Sequence, residues 1–89
     1  MSNEMDFYIS DVLDNRAATH GSFCGVAAVA QDIKKIISEA SGYPNLSLQQ
    51  KEALDMIASK IGRIVCGNPN EKDHWVDIAG YATLIGRTL

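Results

Sequence analysis

Three features of the chain predict an all-α fold. Apolar residues recur at three-and-four spacing in four stretches, polar turns rich in Gly, Ser, Asn and Pro divide them, and no segment alternates as a strand would. The turns are short, so successive helices become antiparallel neighbours in a four-helix, up-and-down arrangement. At 89 residues, with neither an internal repeat nor a linker, the chain reads as a single helical domain spanning 1–89.

The first helix is expected over 3–18, with Met5, Ile9, Val12 and Leu13 along one side. Thr19-His20-Gly21-Ser22 interrupts it, and Ser22 is placed to cap the second helix, expected over 22–40. That helix carries Phe23, Val26, Ala30, Ile33 and Ile37 inward and Gln31, Lys34 and Lys35 outward. The loop Ser41-Gly42-Tyr43-Pro44-Asn45 breaks it. Ser47-Leu48-Gln49-Gln50 has the form of a capping box, and Leu46 before it that of a staple. The third helix, over 47–66, is expected to bury Leu54, Ile57, Ile61 and Ile64, leaving Glu52, Asp55, Ser59 and Arg63 on the opposite arc. Gly67 terminates it. Asn70 then caps a fourth helix over 70–87, whose first turn holds Asp73 where the helix dipole favours an acid. Trp75, Ile78, Ala79, Ala82 and Ile85 make its expected buried stripe.

An apolar stripe on every helix of so short a chain leaves more surface than one copy covers, so a homo-oligomer is expected. The small residues Ala79, Gly80, Ala82 and Gly86 would let a helix of a second subunit approach closely. A net charge of −3 argues against nucleic acid as a partner, because binding it needs a basic surface to displace counterions. No apolar run reaches the roughly 20 residues that span a bilayer, and the start MSNEMDFY lacks a basic region and apolar core, so a cytoplasmic location without membrane contact is expected. Cys24 and Cys66 are then expected as reduced thiols, acting as small buried hydrophobes.

The candidate chemistry lies in the acids of the last two helices. Glu52 and Asp55 are three apart and Asp73 and Asp77 four apart, so each pair shares a helix face, where two carboxylates repel unless a cation sits between them. The four could form a Mg²⁺ cradle of hard oxygen ligands, or simply be solvated faces with Asp77 paired to a base. Lys60 and Arg63 follow on the third helix and are placed to hold phosphates. His20, in a turn before a helix start, either serves a local backbone bond or joins them on a phosphate. His74, at a helix start beside Trp75, either faces a phosphate in the same way or, as is expected, stands in solvent. A zinc site built from His20, Cys24, Cys66 and His74 has no familiar ligand spacing. Tyr8 and Tyr43 are the two aromatics placed to stack on a base, and no acid–His–nucleophile order is present.

The strings THGSF at 19–23, QKEALDMIASKIGRI at 50–64 and DHWVDIAGYATL at 73–84 resemble a family of small tailed-bacteriophage proteins, over almost the whole chain. More distantly, the helix ending KIGRI and the final DxxxDIAGYA helix are similar to phage nucleotide-modification-associated proteins and to MazG-like all-α nucleoside triphosphate pyrophosphohydrolases. That resemblance implies a Mg²⁺-dependent hydrolase of phage nucleotide metabolism, in the cytoplasm of an infected host. Glu52, Asp55, Asp73 and Asp77 would be its metal ligands, with Glu52, Asp55 and Asp77 catalytic and His20, Lys60 and Arg63 on phosphate. The MazG-like pattern pairs ExxE with ExxD, whereas this chain has Glu52-x-x-Asp55 and Asp73-x-x-x-Asp77. The alternatives are a protein that binds a nucleotide, signalling nucleotide or other phosphorylated small molecule without hydrolysing it, to blunt a host defence, and a plain helical interaction protein.

Overall fold

The computed structural model describes residues 4–89, with side chains from Tyr8 onward. The expected start at residue 3 and the side chains of Met5 and Phe7 lie outside that range. Among the described residues there are four α-helices and no strand: α1 Glu4–His20, α2 Phe23–Ser38, α3 Leu48–Cys66 and α4 Lys72–Gly86, with a 3-10 turn at Tyr43–Asn45 between α2 and α3.

The helix ends follow local chemistry. α1 runs past the expected stop at Ala18 and closes at Gly21, whose φ of +86° lets its N–H donate to the Ala17 carbonyl at 2.8 Å. Ser22 caps α2, its Oγ accepting from the Gly25 N–H at 3.1 Å. The capping box on α3 is complete: Gln50 N–H donates to Ser47 Oγ at 3.1 Å, and Ser47 N–H donates to Gln50 Oε1 at 2.9 Å. Asn70 does not cap α4. Its N–H is taken by the Asn68 side chain at 3.0 Å, and Glu71 occupies the cap position without a side-chain bond. Asp73 does stand in the first turn.

α3 is the central element, packed extensively against α2 and α4, while α1 touches α2 and α3 sparsely. The α2 start lies beside the α3 end, with Gly62 against Val26 and Gly25 near Cys66, so the two helices are antiparallel. Because α3 is flanked by two partners, its most buried positions are the small ones, Ala53, Ala58 and Gly62, together with Ile64. Leu54, Ile57 and Ile61 are only half-buried. Phe23, expected inward on α2, is exposed. Cys66 is half-buried, Cys24 is exposed rather than buried, and both are free thiols.

α4 departs most from expectation. His74 is the buried residue, at 1% exposure, and Ile78, Tyr81 and Ile85 continue its inward face. Trp75, Ala79 and Ala82 point outward. Neighbouring residues on a helix differ by about 100°, so placing residue 74 inward rotates residue 75 out of the seam. Trp75 is held there by its Nε1–H, which donates to the Pro69 carbonyl at 2.9 Å.

Candidate functional site

The site begins where two turns cross. The Thr19-His20-Gly21 turn packs directly on the Cys66-Gly67-Asn68 turn, and the Asn68 N–H donates to the Thr19 carbonyl at 2.9 Å. A Cβ on Gly67 would fall 2.5 Å from the Thr19 oxygen and the Gly21 nitrogen, and one on Gly21 would fall 2.5 Å from the Cys66 oxygen. Only glycine permits this backbone contact. It pins the end of α1 beside the start of α4 and so brings together two histidines 54 positions apart.

His20 Nδ1 lies 3.1 Å from His74 Nε2, with the rings tilted at 52°. At that distance one N–H must sit between the two nitrogens. Burial holds the His20 imidazole below its ordinary 6.5, and the nearby charges of Arg63, His74, Arg16 and Lys60 lower it further, so the ring is neutral at pH 7. Lys60, nearly buried, pairs with Asp77 at 2.7 Å. The hydrogen bond from Lys60 holds the Asp77 carboxyl below the usual carboxylate range.

On its other side His20 lines a half-open cleft of about 690 Å³ between α1, α2 and α3. Arg16, His20, Lys34 and Arg63 bring positive or polar nitrogen to it, Ser22 and Ser59 add hydroxyls, and Asp14 is the one acid among the described residues that line it. Leu13, Val26, Ala27 and Ala30 make the apolar wall, which ends on the exposed ring of Phe23. Excess cationic groups beside an apolar wall suit an anion carrying a flat apolar portion.

Residues 10–89, a span that holds the cleft and both histidines, match the family described as Domain of unknown function (DUF6378). The chain belongs to that family. No curated protein and no solved structure matches it.

In this DUF6378 chain the expected phosphate residues divide. His20 and Arg63 meet at the cleft, while Lys60 is engaged with Asp77 beside it. The four acids do not assemble. Glu52 is exposed at a second cleft, of about 650 Å³, where it neighbours Tyr81, Leu84 and Ile85 near the end of α4. Asp73 is exposed at the opposite end of α4, and Asp55 is half-buried between those levels. With α3 and α4 antiparallel, the turn holding Glu52 lies roughly 20 Å from the start of α4, at 1.5 Å per residue. Among the described residues no three His, Cys, Asp or Glu side chains come together to hold a metal ion. These acids therefore do not fit the Mg²⁺ cradle expected within one chain, and His20, Cys24, Cys66 and His74 do not fit a zinc site. Tyr8 and Tyr43 do not line the cleft; Tyr43 instead carries the Lys51 ammonium 4.8 Å above its ring.

Arg16, Asp14 and the burial of His74 were missed from sequence. Arg16 had a signal, since it precedes His20 by one helical turn and shares its face. His74 had none, because its partner comes from a distant turn.

Proposed function

We propose that the protein binds a nucleotide or a closely similar phosphorylated small molecule in the cleft between α1, α2 and α3. The observation that carries this reading is the convergence of Arg16, Lys34, Arg63 and His20 on one cleft of a chain whose net charge is −3. The phosphates face those groups and the base lies along Val26 and Ala30 toward Phe23. The phage resemblance agrees with a role in nucleotide metabolism or in sequestering a host signalling nucleotide. The test is calorimetry with a nucleotide panel, with and without Mg²⁺. Arg63→Ala is expected to weaken binding by about 1.5–3 kcal/mol, the worth of a charge-assisted hydrogen bond. If no nucleotide binds, the reading is wrong.

Hydrolysis is the second reading, and one observation favours it. A neutral imidazole at His20, beside cationic groups, is placed as a general base for water attacking a bound phosphate. Product analysis of any nucleotide that binds separates the two. A second copy is also part of the proposal, packed on the outward face of α4.

A further inference from the structure

The buried His74 has no part in the ligand contacts proposed above, yet it is the largest fully buried side chain among the described residues. Its neighbour at 3.1 Å is His20, the one histidine among the described cleft residues. We propose that His74 is a positioning residue that shares a proton with His20, so that anion binding in the cleft takes up one proton at the His20–His74 pair. This rests on the reading of the cleft as an anion site.

The geometry limits the pair to few states. With both rings neutral, the single proton between them comes from one ring or the other. If His74 donates, His20 Nδ1 accepts and the single N–H of the His20 ring lies on Nε2, which offers a donor to the cleft. If His20 donates, Nε2 is bare and repels an anion. Adding one proton to the pair keeps the shared bond and makes Nε2 a donor in every arrangement. Adding two sets N–H against N–H. The pair therefore gains one proton with benefit and resists the next.

The charges around it set the direction. Arg16 on α1, Lys34 on α2, and Lys60 and Arg63 on α3 oppose a cation at His20, while Asp14 on α1 favours one and Asp77 on α4 favours one at His74. Asp77 is already committed to Lys60. Without an anion, burial first and then the surrounding cations keep the imidazole neutral. An anion between Arg16 and Arg63 offsets them, so the proton enters with the ligand.

The test is an NMR titration of the His20 and His74 ring resonances, with and without saturating sulfate, an anion that does not titrate in this range, against chloride at matched ionic strength. Sulfate is expected to raise the His20 midpoint by about one pH unit, which equals about a tenfold gain in anion affinity on protonation. In wild type both rings should respond to that one step. In His74→Gln, His20 should titrate alone in a simple step. Should His74→Gln not fold, His20→Gln serves instead, and sulfate affinity should then lose its dependence on pH. Sulfate that shifts the Arg16 and Arg63 side-chain signals while leaving the His20 midpoint in place overturns the proton linkage alone. If sulfate shifts none of these signals at any pH, the cleft reading falls and the linkage with it.

Discussion

The histidine pair and the Lys60–Asp77 bridge are side-chain contacts that both lose stability as pH falls, in different pH windows. His20 is held below its ordinary 6.5, so between its folded value and 6.5 the unfolded chain binds more protons than the native one. Its contribution to stability therefore grows as pH rises through that window and is lost as pH falls. Asp77 is held below 3.8, so its contribution is present above that value and lost as pH falls through the folded one. Urea midpoints measured across pH should show two limbs, one ending near 6.5 and one in the acid range. His20→Gln should flatten the first and Asp77→Asn the second. A wild-type midpoint that does not change across the first window would contradict the His20 assignment.

At the scale of elements, the crossing of two glycine turns decides how α1 meets α4. Gly21→Ala would place a side chain at φ +86° and within 2.5 Å of the Cys66 carbonyl, so both turns must move. A loss of about 2–4 kcal/mol is expected, a left-handed penalty of 1–2 plus the steric displacement. Gly42→Ala is the control, because a Cβ there meets nothing and its φ is −84°. Thermal unfolding compares them, and equal melting temperatures would remove the junction from the account. α4 gives the other lesson at this scale. The pattern Trp75, Ile78, Ala79, Ala82, Ile85 is a sound apolar stripe on a helical wheel, and the helix nonetheless turns by one residue to bury His74. Small Ala residues lose little by facing water, and Trp75 keeps partial cover and a hydrogen bond to Pro69.

The whole molecule is long and thinly packed, 52 × 25 × 22 Å with a radius of gyration of 15.9 Å, against about 12 Å for a compact chain of this length. Its accessible surface is 6520 Å², against about 5,100 Å² for a folded monomer of its mass. Between Lys72 and Asp73 at its start and Arg87 just past its end, the outward arc of α4, with Trp75, Val76, Ala79, Gly80, Thr83 and Leu84, carries no charge. A second copy there would cover it, the excess of about 1,400 Å² being more than the roughly 800 Å² each partner gives a standard interface. Sedimentation is expected to report a dimer, and Ala79→Glu a monomer that remains folded. A wild-type monomer throughout the micromolar range would refute this. No helix among the described residues is long and apolar enough to cross a membrane.

The sequence alone determined the number and type of the helices, the Ser22 and Ser47 caps, and the presence of His20 and Arg63 among the candidate phosphate residues. These are local matters: periodicity, hydroxyls one turn from amides, and a turn motif opening a helix. Tertiary structure decided which groups meet. Asp73 and Glu52 look adjacent when α3 and α4 are drawn as a pair, but their antiparallel course sends the two acids to opposite ends. His20 and His74 look unrelated, and the glycine crossing brings them to 3.1 Å. Spacing along a helix fixes direction around its axis, whereas distance between helices depends on where the chain reverses and which backbone surfaces can touch.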